Sequence, residues 1–178
     1  MHGLNLGYYR AQANRGKMKK LGTVLFLVLS FFYASGQNLK GGVALRVVTP
    51  NPLLPVSGGV GTPNKVTQKK GDLFIRAMVL QYDTVKVAFV SIDNLGWPSQ
   101  LGDKTRMLVK SIKPQNILIG ATHTHSAPDA YAFPDENGVS HANQEYLDWC
   151  VVQMAEAIKE AERRMEDVDL KLGYGEVA

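Results

Sequence analysis

Residues 85–120 constrain the fold most. Residues 85–92 (VKVAFVSI) are apolar enough for a buried strand, and residues 101–112 place Leu101, Met107, Leu108 and Ile112 at helical spacing. Pro114 stops that helix, and residues 116–120 (NILIG) supply a second buried strand. A strand, a helix and a strand in this order and at these lengths make a βαβ unit whose strands run parallel. Asp93 and Asn94 follow the first strand and His123 follows the second, so all three emerge at the carboxyl edge of the sheet. In open α/β sheets that edge binds ligands.

The remaining pattern extends this unit. Residues 43–48 read as a short strand, followed over residues 49–64 by a loop rich in Pro, Gly and Asn. Its Gly58-Gly59-x-Gly61 run lacks phosphate-binding spacing and reads as a turn. Residues 73–81 form a further apolar strand, joined to residues 85–92 through Tyr82-Asp83-Thr84 as a hairpin. After a polar loop over residues 133–143, Leu147, Cys150, Val151, Met154, Ile158, Ala161 and Met165 mark one face of a long helix. Its other face carries Glu156, Lys159, Glu160, Arg163 and Arg164, a mixture of signs that suits packing on a sheet better than a membrane. Residues 170–177 read as one more strand. The fold class expected is α/β, with a mixed, partly parallel sheet flanked by helices, as the front part of a larger catalytic domain.

The N-terminus is of a different kind. Met18-Lys19-Lys20 precedes an apolar run from residue 21 to residue 32 and the small-residue end Ala34-Ser35-Gly36, the pattern of a secretory signal peptide over residues 18–36. The run is too short to span a bilayer, which takes roughly 20 apolar residues. Residues 1–17 read as an upstream extension and residues 37–178 as the exported domain, placed in the periplasm or outside the cell. The formal net charge of +4 belongs to the leader: Arg10, Arg15, Lys17, Lys19 and Lys20 precede Gly36, while all 16 acidic residues follow it. The remainder holds 15 basic and 16 acidic residues, a charge of about −1, so no nucleic-acid partner is expected. Cys150, the single cysteine, cannot form an internal disulfide and falls on the apolar helix face as a buried structural thiol.

Chemistry concentrates in GATHTHSAP, residues 120–128. If the chain stays extended past Gly120, alternation puts His123 and His125 on one face and Thr122 and Thr124 on the other. Neutral imidazole is a favoured zinc ligand, but a catalytic zinc takes about three protein ligands and an open position. Two histidines alone are therefore either part of a metal site or ordinary turn residues. Ser126, Ala127 and Pro128 would turn the chain and keep a pocket open. His141 sits in the polar loop and reads as solvated. The His-x-His-x-Asp-His pattern of metallo-β-lactamases is not met, because Asp129 comes too late and no histidine directly follows it. A binuclear amidohydrolase barrel would need the pair on its first strand, whereas several strands precede it here.

GATHTHSAP resembles the Ala-Thr-His-Thr-His-Ser-Gly-Pro signature of neutral, non-lysosomal ceramidases. GVA at 42–44, VTP at 48–50, GDLFIRAMVL at 71–80 and VSIDNLG at 90–96 fall in that family's order, so the resemblance runs over most of residues 37–178. It implies a secreted zinc hydrolase that cleaves an N-acylated sphingoid base into sphingosine and a fatty acid. It implies His123 as a zinc ligand, His125 as a catalytic residue beside the metal and the substrate amide, and Asp93 as a carboxylate orienting a ligand, unless Asp93 caps the following helix. The family's further ligands, a His, a Glu and a Tyr, come from sequence well downstream, and its C-terminal sandwich domain has no counterpart here. The missing remainder of such a protein is thus an expected partner, with a ceramide-like lipid as substrate and transient contact with a membrane surface. Ala127 and Asp129 stand where the signature has glycines, implying a bulkier and more acidic pocket mouth. The alternatives are a zinc hydrolase of the same fold acting on a non-lipid amide or ester, and an exported non-catalytic binding domain.

Overall fold

A computed structural model describes residues 38–57 and 62–176. The upstream extension, the signal peptide and the Gly58-Gly59-x-Gly61 turn lie outside the described residues. Within the unit Asn38–Ala178, the elements in chain order are β1 (Lys40–Val47), β2 (Phe74–Tyr82), β3 (Val85–Ile92), α1 (Ser99–Leu108), a 3-10 turn (Pro114–Asn116), β4 (Ile117–Ala121), α2 (Gln144–Arg163) and β5 (Glu166–Asp167).

The five strands form one sheet in the order β4-β3-β2-β1-β5. β3 and β4 are parallel, from Ala88 opposite Ile117 to Ile92 opposite Ala121, with α1 in the crossover. The other pairs are antiparallel. The sheet is therefore mixed and the βαβ unit stands as the sequence implies. The β2–β3 hairpin turns at Asp83, whose positive φ of 52° suits an aspartate in a tight turn.

Strand alternation decides which face is covered. Ala44, Ile75, Ala77, Val79, Ala88, Val90, Ile92 and Ile117 are buried beneath the helices, together with Leu147, Met154 and Ile158 of α2. The opposite parity of the same strands, Val43, Leu45, Met78, Phe89 and Leu118, is exposed. Helices thus lie on one face of the sheet. α2 begins at Asn143, whose side chain accepts from Tyr146 N at 2.9 Å and so satisfies one of the orphan donors of the first turn. Its stripe of Leu147, Cys150, Val151, Met154, Ile158 and Ala161 is buried, as the periodicity requires. Side-chain bonds fix its position: Tyr146 Oη donates to Val48 O at 2.8 Å, and Glu162 accepts from Lys86 of β3 at 2.6 Å and from Ser111 at 2.5 Å.

Two expectations change. The first helix ends at Leu108, because Val109 is extended; Val109 and Ile112 are buried in the segment beyond it, and Pro114 opens the 3-10 turn. Apolar spacing registered their burial but not the change of backbone. No strand forms over the described part of residues 170–177. Leu170, Leu172 and Tyr174 are 62, 78 and 98% exposed, with no sheet edge or core to hold them, and the final pairing falls instead at Glu166–Asp167 against Lys40 and Gly41. Alternation makes a strand only where a partner exists.

Candidate functional site

β3 and β4 end side by side, and one further bond, Thr122 N to Ile92 O at 3.0 Å, continues the ladder. The chain then leaves β geometry: His123 has a φ of +62°, in the left-handed region. The extended run expected past Gly120 is thus broken at its first histidine. The imidazoles meet all the same, with ring centroids 5.1 Å apart and planes at 87°. A turn, not strand alternation, brings them together.

The Nδ1 of His123 lies 2.7 Å from Leu95 O. A carbonyl oxygen only accepts, so Nδ1 carries the proton, and in the neutral ring Nε2 keeps its lone pair. Histidine ligands are commonly held this way, with the second nitrogen bonded to a carbonyl or carboxylate. Both histidines are exposed.

Asp93 is bound into the sheet. Its carboxylate accepts from Phe74 N at 2.9 Å and from Arg76 Nη1 at 2.9 and 3.0 Å, while its own N–H donates to Phe74 O at 2.8 Å. It ties the start of β2 to the end of β3. It is not hydrogen-bonded to His123, which Leu95 holds instead. Nor does it cap α1, which begins after Pro98 without a side-chain cap.

Three contacts escaped sequence reasoning. Asn94 is fully buried; its Nδ2 donates to Pro128 O at 3.4 Å, and its Oδ1 has no partner among the described residues. Leu95 contributes only its carbonyl, which no side-chain pattern reveals. Gly96 lies so close to Tyr131 that a Cβ there would stand 1.8 Å from Tyr131 Oη. The signal available was the run Asp93-Asn94-Leu95-Gly96 at a strand end, polar and glycine-bearing at the edge where sites form.

The supposed pocket mouth is different from expectation. Ala127 and Asp129 are buried, Asp129 Oδ1 accepting from Tyr131 N at 2.9 Å in a local turn, and Ala127 O accepting from Ser57 N at 2.9 Å. They shape the loop from inside and add no exposed acid. His141 is paired with Asp135 at 2.9 Å within its own loop. That bond, helped by the Val139 and Asn137 N–H groups, lowers the Asp135 carboxyl below its usual range. Cys150 is buried, and burial pushes its thiol up to about 12, as befits a structural residue.

No group of three or more His, Cys, Asp and Glu side chains able to hold a metal occurs among the described residues. The donor chemistry of His123 fits zinc, its Nε2 keeping a lone pair, but one imidazole falls short of the three or so protein ligands of a catalytic zinc. Beside the loop runs a groove of about 530 Å³, lined by Leu53, Leu54, Val56 and Leu73 together with the charged Lys69, Lys70 and Asp72.

The architecture, a mixed α/β sheet with helices on one face, is similar in fold to part of known ceramidase structures. The chain is similar to the neutral ceramidase of Pseudomonas aeruginosa in its crystal structure, with a TM-score of 0.55 and 16% identity over 75% of this chain and 23% of that one. It is similar also to a ceramidase complexed with C2, with a TM-score of 0.54 and 16% identity over 74% of this chain and 22% of the other. At this identity the likeness is one of fold, and the chain spans less than a quarter of either structure's length. No family model and no curated protein matches the sequence.

Proposed function

We propose that this chain belongs to a zinc-dependent amide hydrolase of ceramidase type and supplies the first metal ligand, His123, and a neighbouring catalytic histidine, His125. The observation that carries the reading is the Nδ1–H bond of His123 to Leu95 O, which leaves Nε2 as a fixed donor at the carboxyl edge of a sheet similar in fold to ceramidases. The groove beside the loop joins apolar side chains to Lys69, Lys70 and Asp72, a lining that suits a substrate with both an apolar and a polar part. The remaining ligands are assigned to polypeptide outside the described residues, and export through residues 18–36 is part of the same proposal.

Bound zinc would supply Lewis acidity and lower the pKa of water toward 7. The protein's own groups do the rest. His123 would hold the ion, its Nδ1–H bond to Leu95 O leaving Nε2 as the coordinating nitrogen. In this reading His125 delivers a proton to the leaving nitrogen as the amide C–N bond breaks, so that amide and water become amine and carboxylic acid. Asp93 acts at one remove, fixing the end of β3 that carries Leu95.

Zinc content by mass spectrometry, followed by fatty-acid release from a ceramide on the same sample, tests this in the complete protein. Stoichiometric zinc lost in His123→Ala is expected, together with zinc retained in His125→Ala at a rate lower by roughly 10²–10⁴-fold. Zinc without ceramide turnover redirects the search to other amides and esters. Absence of zinc refutes the reading and leaves the histidines as turn residues.

A further inference from the structure

Asn94, Leu95 and Gly96 hold three separate points of the histidine loop. Asn94 Nδ2 donates to Pro128 O, Leu95 O accepts from His123 Nδ1, and Gly96 gives Tyr131 room to lie against the backbone. The grips are spread over residues 123–131 and therefore fix the loop at its start, middle and end. β4 itself does not: its ladder with β3 stops at Thr122 N. His123, at φ +62°, adopts a backbone conformation that a non-glycine residue keeps only when its surroundings impose it. Asn94 is the telling member. It is wholly buried, its Oδ1 has no partner among the described residues, and its Nδ2 bonds to the histidine loop.

We infer that Asn94, Leu95 and Gly96 form a positioning clamp that sets the place and the tautomer of His123 from the end of β3. These are positioning residues; none touches the reacting atoms. The consequence for metal affinity rests on the proposed zinc reading, but the clamp itself does not. Gly96 is the point of closest approach, because any side chain there meets the Tyr131 ring; the Tyr131 ring swings out or the backbone shifts, and either movement disturbs the end of the loop.

Imidazole tautomers of the metal-free full chain, read from long-range proton–nitrogen spectra at a pH of about 8 where histidine is neutral, test the clamp directly. His123 is expected mainly as the Nδ1–H form in the unaltered protein. Gly96→Ala and Asn94→Ala should shift it toward a mixture of forms and weaken zinc binding by roughly 10–100-fold in the complete protein. Gly96→Ala combined with Tyr131→Ala should restore the Nδ1–H form. A His123 mainly in the Nε2–H form, or one indifferent to both single substitutions, overturns the clamp. If circular dichroism finds Gly96→Ala unfolded, the unaltered protein and Asn94→Ala still decide the matter. Expected tautomers without any zinc binding uphold the clamp and refute the zinc reading alone.

Discussion

Cys150 and Tyr146 show how α2 is set against the sheet at the level of single groups. Tyr146 Oη reaches Val48 O at 2.8 Å, and burial, with the neighbouring Cys150, pushes its hydroxyl well above the ordinary phenol value. Burial likewise pushes the Cys150 thiol up to about 12, so the thiolate is scarce at neutral pH and the side chain is shielded as well. Iodoacetamide at neutral pH should therefore leave the native protein unlabelled and modify Cys150 on unfolding in urea, as intact mass measures. Labelling of the native protein at the rate of a free thiol would contradict this placement. The burial of Cys150 was legible because helical spacing fixes which face a residue takes. The partner of His123 was not, since every residue has a carbonyl and the sequence does not say which one a ring will find.

β1 and α2 meet where Gly42 leaves no room for a side chain. A Cβ at Gly42 would lie 2.1 Å from Ala161 O and 2.9 Å from Met165 N, both backbone atoms that cannot swing aside. Gly42→Ala should force the end of α2 away from the sheet and destabilise the fold by about 1–3 kcal/mol, visible as a lower melting temperature. An unchanged melting temperature would mean that the helix end is free to yield. Elements with strong periodicity were read correctly: β2, β3 and α2 bury long regular rows, and the order of strand, helix and strand predicted the parallel β3–β4 pair. Weaker cases failed for physical reasons. Val109 and Ile112 are buried outside a helix, residues 170–176 alternate without a partner, and the left-handed turn at His123 is imposed by contacts from another strand end.

Across the whole molecule, ion pairs tie elements that the core alone does not align. Glu162 bridges β3 and the segment after α1 through Lys86 and Ser111. Burial raises its pKa, but the bonds from Lys86 and Ser111 outweigh burial and leave the carboxyl below its usual range. Asp72, held by Lys69 and Thr49, and Asp148, held by Lys104, are lowered too. A carboxylate whose folded pKa is depressed contributes stability that is complete above its unfolded value, about 4, and lost as pH falls through the folded one. Urea midpoints should accordingly fall on acidification below about pH 5, less steeply in Glu162→Gln than in the unaltered chain. Equal slopes would remove Glu162 from the account.

The two ends of the described fold close on each other: Asn38 Nδ2 donates to Asp167 at 3.1 Å, Val168 N to Leu39 O at 2.9 Å, and Gly42 abuts the last turn of α2. During synthesis β1 is made before α2, yet alongside β2 the surfaces that secure it come from residues 146–168. Its antiparallel pairing with β2 can form early, but the inner side of that pair stays uncovered until α2 arrives. The order of assembly at this seam thus runs against the order of translation, and a chain arrested before residue 161 holds a strand without its cover.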